Sequence, residues 1–490
     1  MNGLITAIKA NNNFTLTENG ALTHKTTHSY LLDMFAMGGA MRNRQNNEII
    51  LMFKRAFEEN PTYALKCLFY LRDIRGGQGE RRFFRICMKW LAENHPEAAK
   101  RNLKLIPEYG RWDDLYCFVD TCLEDETFQF MHEQFLLDLN CKTPSLLGKW
   151  LASENATSVK VKQLGKLTAK KFGLTPRKYR QYLSELRTRI NVLEKLMSEN
   201  RWEEIKFDQI PSRAGLIYKN AFAKRDIIKK KYEAFAKDAT KKVNAEVLNP
   251  VDIAQKIFNK LYFSDTPYTI SDTDRLMYQK YWDNLKDYYG GRQENGIAVV
   301  DTSGSMYGQP LAAAVSMGAY IAERGKGPFA NHFITFSRNP ELVEFEGTDI
   351  VDKFFRAKKA DWNLNTNISG VFELLLNKAL QNKIPQSEMP ERIYIFSDME
   401  FDRGTHYRTE NEVETLLESI AHQWSSKGYR LPHLIFWNLN AHKENIPALN
   451  GRFSYISGFS MNMIETILSG KDGYDLMMMK LDTERYSKIS

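Results

Sequence analysis

The stretch Ile297-Ala298-Val299-Val300-Asp301-Thr302-Ser303-Gly304-Ser305-Met306 decides how the chain is read. Its first four residues form an unbroken apolar run, the pattern of a strand buried on both faces of a parallel sheet. In a doubly wound α/β sheet the ligand site collects on the loops that leave the carboxyl ends of the strands, and residues 301–306 stand in that place. Asp301, Ser303 and Ser305 lie at alternate positions and put three hard oxygen groups on one tight turn, with Gly304 relieving the backbone. Hard oxygens at short range suit Mg2+ or Mn2+. A Ser/Asp turn that merely caps a helix explains most isolated strings of this kind, so the reading depends on whether matching loops occur further along the chain.

Asn365-Thr366-Asn367 precedes a helix-like run from Ser369 to Leu380, and Arg392-Ile393-Tyr394-Ile395-Phe396-Ser397-Asp398 is a second buried-strand pattern that ends on an Asp. In this order the three loops resemble the metal-ion-dependent adhesion site of von Willebrand factor A domains. The resemblance implies a magnesium (or manganese) site made of Asp301, Ser303, Ser305, Thr366 and Asp398. It also implies an open coordination position that accepts an Asp or Glu from a protein partner.

Working outward, strand-like runs at 297–300, 332–336, 392–397, 433–439 and 453–457 alternate with helix-like runs at 309–323, 369–380, 411–425 and 460–468. That alternation predicts a doubly wound parallel sheet over residues 291–490. Turn residues gather at Tyr288 to Gly296 and mark a boundary. At the other end, Phe14 to Thr23 alternates around Asn19-Gly20, which predicts a β-hairpin within an N-terminal extension, residues 1–27. Between them, residues 28–290 carry apolar stripes at helical spacing: 49–57, 63–74, 83–91, 111–122, 126–139, 159–171, 176–199 and 215–238. A succession of helix pairs fits an array of the HEAT type, although no strict sequence period is present. The fold class is therefore multidomain, α followed by α/β.

Composition removes several classes of function. No run approaches the roughly eighteen apolar residues of a membrane span, and Met1-Asn2-Gly3-Leu4 lacks a signal-peptide pattern, so a cytoplasmic protein is expected. Cys67, Cys87, Cys117, Cys122 and Cys141 are odd in number and form no C-x-x-C pair, so they read as reduced core residues. The nine histidines show no zinc spacing, and Ser303 lacks a G-x-S-x-G frame. Paired carboxylates at Asp301, Asp398 and Glu400 leave metal-assisted hydrolysis open as a minor alternative. The chain is otherwise read as no enzyme.

The net charge of +8 is unevenly spread: residues 301–490 hold 20 basic and 24 acidic side chains, whereas residues 151–250 alone hold 23 and 11. A localised excess of this kind implies an anionic partner. Lys170 and Lys171, then Arg177, Lys178, Arg180, Arg187 and Arg189, then Lys224 and Arg225 follow one another along it. Lys160, Lys162 and Lys166 share the first helix, and Tyr179 and Tyr182 are placed to stack on bases. A solvated basic helix surface is the plainer alternative.

Three strings in the helical part are distinctive: Arg72-Asp73-Ile74-Arg75-Gly76-Gly77-Gln78-Gly79-Glu80-Arg81-Arg82, Ile106 to Leu115, and Lys149 to Ser158. The first reads either as a phosphate-holding glycine turn or as a plain interhelical turn, and the plain turn is favoured because such turns are common helix connections. On these strings the chain resembles a family of unknown function, found in bacteria, plants, fungi and viruses, in which a helical part precedes a von Willebrand factor A domain. More distantly, the architecture is similar to the Ro family, whose TROVE domain is a ring of HEAT-like helices closed by an A domain. Ro proteins bind misfolded and small noncoding RNAs and take a single-stranded end into the ring. The resemblance implies an RNA-binding scaffold, a ribonucleoprotein component whose array closes into a ring. A metal-dependent protein-interaction module without RNA is the alternative.

Overall fold

A computed structural model of the chain describes residues 13–190, 193–261, 269–336, 340–359, 366–403, 415–449 and 452–490. Packing divides it into two compact units, Met1–Cys67 with Ala245–Thr483, and Leu68–Asn244 with Glu484–Ser490.

The first unit is built on a six-stranded sheet. Numbering strands along the chain, the N-terminal hairpin supplies β1 (Phe14–Leu16) and β2 (Leu22–His24). The sheet is made of β3 (Gly296–Asp301), β4 (His332–Phe336), β5 (Glu341–Glu344), β6 (Arg392–Ser397), β7 (His433–Asn438) and β8 (Phe453–Ser457), in the order β5-β4-β3-β6-β7-β8. Every residue of β3, β7 and β8 is buried, and in β3 and β7 that burial shows as the apolar runs 297–300 and 434–437. The pattern predicts a parallel sheet; the sheet is mixed, because β5 joins β4 antiparallel. In Glu341-Leu342-Val343-Glu344 only Val343 is buried, and charge at both ends suits an edge strand but gives no apolar run to detect.

Helix Gln309–Arg324 carries the crossover from β3 to β4, with Leu311 through Ala322 all buried. Gly318 permits the close approach, since a Cβ there would stand 2.5 Å from a Val300 methyl. Helices from far upstream pack in the same unit. After Tyr30–Met37, Gly39 N donates to Ser457 Oγ (2.9 Å) and Ser457 Oγ to Phe35 O (3.0 Å); from Asp272–Asp283, Arg275 Nε bonds Asp349 Oδ2 (2.7 Å). Packing thus follows space and not chain order: the two ends of the 28–290 segment lie with the sheet.

The hairpin forms where Asn19-Gly20 predicts it, with Phe14 opposite His24 and Gly20 at φ 85°. A lone two-stranded ribbon is marginal in water, and this one is held by docking. Thr17 Oγ1 donates to Phe401 O and Thr23 Oγ1 to Ile446 O, each at 2.7 Å, and His24 Nε2 lies 3.2 Å from Glu418 Oε1. Burial alone would raise the Glu418 pKa, but His24, the Leu449 N–H and the Thr415 N–H and hydroxyl outweigh it and hold the carboxyl down to about 2. A lowered carboxyl pKa contributes stability that is present above the ordinary value near 4.5 and is lost as pH falls from there toward about 2. Glu418→Gln is therefore expected to cost roughly 2–3 kcal/mol at neutral pH and to flatten the acid limb of thermal unfolding. An unchanged acid limb in the variant would show that this carboxylate is not the cause.

The second unit is helical: Arg82–Asn94, Pro96–Leu103, Glu124–Asn140, Val159–Lys171, Pro176–Arg189, Ser212–Ala223 and Asp226–Lys237. The run at 111–122 forms a 3-10 helix, Trp112–Phe118, instead of an α-helix. There the Asp114 carboxylate turns back to accept the Arg111 N–H (2.9 Å), which caps the segment and tightens it. The run at 215–238 is two helices broken at Lys224 and Arg225, and that at 176–199 is Pro176–Arg189 followed by Leu193–Ser198, with 191 and 192 outside the described residues. Cys67 and Cys87 are buried as expected, whereas Cys122 is exposed, and no disulfide joins the described cysteines.

Candidate functional site

β3 and β6 are adjacent parallel strands in the middle of the sheet, so their carboxyl ends bring Asp301 beside Ser397 and Asp398. Asp301 is fully buried. Its Oδ1 accepts the Ser303 N–H at 2.9 Å, and its Oδ2 accepts the Ser397 hydroxyl at 2.5 Å. The one-turn 3-10 helix Gly304–Met306, anchored by buried Met306, sets the Ser303 and Ser305 hydroxyls 3.1 Å apart, with Ser305 exposed. Asp398 is fully buried as well. Its Oδ1 accepts the Glu400 N–H (3.1 Å), while its Oδ2 has no hydrogen-bond donor and lies 3.6 Å from His442 Nε2. Met399 between them sits at φ 67°, a conformation that costs a long side chain energy and that concentrates at functional turns.

Burial pushes the Asp301 carboxyl up to about 7, and the neighbouring Asp398 charge adds to it; burial also raises Asp398. Two buried carboxylates this close are costly to ionise together unless a cation lies between them. The donor set fits a hard dication: two hydroxyls and two carboxylates, one of which keeps a buried oxygen without a hydrogen-bond donor. Among the described residues no three His, Cys, Asp or Glu side chains form a metal-binding cluster, so the ion would rest on these two carboxylates with the serines.

Thr366, on the loop before helix Ile368–Gln381, is buried and held by hydrogen bonds of its own. Its hydroxyl lies 2.9 Å from Glu400 O and 2.8 Å from Asp402 Oδ1 and accepts from Asn19 Nδ2 at 2.7 Å. Asn365 lies outside the described residues. The hairpin turn thereby reaches the loop after β6, where Glu18 N donates to Glu400 Oε2 (2.5 Å) and Arg403 N to Asn19 O (3.2 Å). Asn445 Nδ2 bonds the other Glu400 oxygen at 2.9 Å. Glu18 and Asn19 reach this loop from more than three hundred residues away, and His442 and Asn445 from more than forty, so linear spacing signals none of the four.

The basic residues of the second unit separate into two groups. Four are engaged within the fold. Lys171 pairs with Glu124 (2.6 Å) and Asp125 (2.5 Å), and Arg180 pairs with Glu154. Arg187 donates to Gly148 O, Ser153 Oγ and Leu151 O at 2.9–3.0 Å, and Arg189 to Leu139 O at 2.9 Å. Lys170, Arg177, Lys178 and Lys224 are exposed, and the Arg225 guanidinium lies 4.1 Å over the Trp202 ring. The rings expected to stack on bases pack against the fold: Tyr179 is fully buried with its hydroxyl on Ala152 O (2.8 Å), and half-buried Tyr182 sits edge-on to Phe135. Their helix presents them inward, because they belong to its apolar stripe with Leu183 and Leu186.

The distinctive strings have structural work. Residues 148–154, the end of the short helix Leu147–Trp150 and the loop after it, are clasped by Arg187, Tyr179 and Arg180. In the glycine turn, Gly77 N and Gly79 N donate to Asp73 O, Gln78 N to Tyr70 O and Glu80 N to Leu71 O. Those N–H groups are spent on the end of helix Pro61–Arg72 and cannot also hold a phosphate.

A family model described as a domain of unknown function (DUF2828) matches residues 17–164 and 145–287, and another (DUF7788) matches residues 295–487. The chain is 28% identical over 519 residues to the uncharacterized protein L728 of Acanthamoeba polyphaga mimivirus, covering 97% of this chain and 88% of that protein. Among solved structures, the RO (RSR) protein of Deinococcus radiodurans superposes with a TM-score of 0.50 at 13% identity, covering 94% of this chain and 100% of that one. At that identity the similarity is one of fold.

Proposed function

The chain belongs to the DUF2828 family, and on that footing we propose that it is a non-enzymatic RNA-binding scaffold of the Ro kind. Its second unit binds RNA through exposed lysines and arginines, and the carboxyl end of its sheet, von Willebrand factor A-like, holds a divalent cation. The observation that carries the RNA reading is the surplus of basic side chains in residues 151–250 together with the exposure of Lys170, Arg177, Lys178 and Lys224. Exposed cations without carboxylate partners attract phosphates through long-range charge. Asp301, Ser303, Ser305 and Asp398, with Thr366 from the neighbouring loop, would hold Mg2+ or Mn2+, which neutralises the buried carboxylates when bound.

A second reading has its own support. Ser305 is exposed beside a buried Asp398 oxygen that lacks a donor, so a bound ion would face solvent and accept a carboxylate from a protein partner. RNA binding is tested directly by fluorescence anisotropy of the full chain with a labelled single-stranded RNA. Affinity is expected to fall linearly in log–log form with salt, at about 0.7 per phosphate contact. No binding at low salt would remove the RNA reading and leave the protein-partner reading. Repeating the titration with a chelator separates the two sites, since phosphate contacts by lysine need no divalent ion.

A further inference from the structure

We propose that the groove between helices Val159–Lys171 and Pro176–Arg189 is a phosphate track for a single strand of RNA, read by charge and blind to base identity. This rests on the RNA-binding reading above and names its site. The groove has a volume of 650 Å³ and is lined by Lys162, Lys166 and Lys170 from the first helix, Arg180 from the second, and the loop residues Glu154 and Asn155.

The three lysines recur at intervals of four, so they stand in one row on one helix face, about 6 Å apart along its axis. All three are exposed, and no carboxylate among the described residues pairs with them. Like charges four apart on a helix destabilise it, so folding gives no reason for this row. Glu154 does not supply the missing counter-charge: it is buried and paired with Arg180. The 14-residue second helix begins beside the groove at Pro176 with no acid in its first turn, which instead carries Arg177 and Lys178. The positive end of its dipole adds to the same field.

The walls also exclude base reading. Ala169, Leu174 and Pro176 supply the remaining surface, Asn155 is the neutral polar side chain, Tyr179 is buried in the core and half-buried Tyr182 packs edge-on to Phe135. With no aromatic ring in its lining and no array of base-edge donors, contact is confined to the backbone of the strand. Lysine ammonium groups on flexible stems suit that task, because they bind phosphates as point charges and tolerate variation in their spacing.

The test compares the full-length wild type with Lys162→Glu/Lys166→Glu/Lys170→Glu and with a control of equal charge change, Lys378→Glu/Lys383→Glu/Lys427→Glu, on the first unit. The probes are labelled uridine and adenosine homopolymers of about twenty nucleotides in about 0.1 M KCl. The groove variant is expected to lose at least about tenfold in affinity and to lower the salt slope by about 2, from three contacts at about 0.7 each. The control should stay within about threefold of wild type, and the two homopolymers within about threefold of each other. Lys→Gln at the same three positions should give an intermediate loss, and all three sites are exposed, so circular dichroism should report an unchanged fold. Wild-type affinity in the groove variant, or a tenfold preference between the homopolymers, overturns the proposal while leaving RNA binding intact. Failure of the wild type to bind either homopolymer removes the RNA reading and the groove with it.

Discussion

Asp301→Asn is expected to abolish binding of Mg2+ and Mn2+ and to leave the sheet folded. The carboxylate lies at the end of β3, where it accepts the Ser303 N–H and the Ser397 hydroxyl. Asparagine retains one oxygen acceptor and nearly the same volume, so no cavity opens in the core. What disappears is one of the two carboxylates at the carboxyl ends of β3 and β6, and a site that leaves several positions to water depends on each of its charges. The measurement is calorimetric titration, supported by the rise in melting temperature on adding metal. A ligand present at a hundredfold above its dissociation constant stabilises by about 2.7 kcal/mol, so wild type should shift measurably and the variant should not. Equal metal affinity in the two proteins would sink the assignment. Thr366→Val supplies the contrast. Because the Thr366 hydroxyl is held by Glu400, Asp402 and Asn19, its loss is expected to weaken metal binding less than the loss of Asp301.

The parts of this fold that were legible in the sequence are those whose signal is local. Buried strands such as 297–300 and 433–438 need apolar side chains on both faces, and that requirement writes itself into consecutive residues. Asn19-Gly20 specifies its hairpin because few residues tolerate the turn conformation. Short elements at the surface carry no comparable signal, and β5, with one buried residue, escaped for that reason. The site divides along the same line. Asp301, Ser303 and Ser305 share one turn, and Asp398 follows a strand that pairs with β3, so spacing and sheet topology were enough to bring them together. Thr366 depends on which neighbours compete for its hydroxyl, and those come from residues 19 and 400–402.

In the basic segment the sequence signal fails in a different way. Composition located the surplus of charge, but it could not separate the arginines that tie loops together from the lysines that face solvent. Arg187 bonds three oxygens of the 148–153 segment, a use of the planar guanidinium fork that lysine cannot copy. Helical spacing alone put Tyr179 on the outside as readily as on the inside. Only packing against Phe172, with ring centroids 6.4 Å apart, shows which side it takes.

Asp114→Ala is expected to destabilise the second unit by about 3–5 kcal/mol, a large share of the roughly 5–15 kcal/mol typical of a folded domain. Asp114 is fully buried, and so is Arg72. Asp114 Oδ2 accepts from Arg72 Nε at 2.8 Å and from the Arg111 N–H at 2.9 Å, and its Oδ1 accepts from Arg85 Nε at 2.7 Å. Arg85 has a second carboxylate in Asp113, at 2.9 Å, but the hydrogen-bonded carboxylate of Arg72 is Asp114 alone among its described contacts. Alanine would leave the Arg72 guanidinium buried and uncompensated and would also uncap the Trp112–Phe118 turn, so two mechanisms act in the same direction. The double variant Arg72→Met/Asp114→Leu removes both charges and fills the space with apolar atoms. It is expected to recover most of the loss, because the penalty comes from the stranded cation and not from the absence of the pair. Urea unfolding of the three proteins measures this. A single variant within about 1 kcal/mol of wild type would show that water reaches Arg72. The groove lysines lie in the same unit, so RNA affinity in Asp114→Ala should fall with the folded fraction and return on cooling, whereas the loss in the triple lysine variant should persist at every temperature.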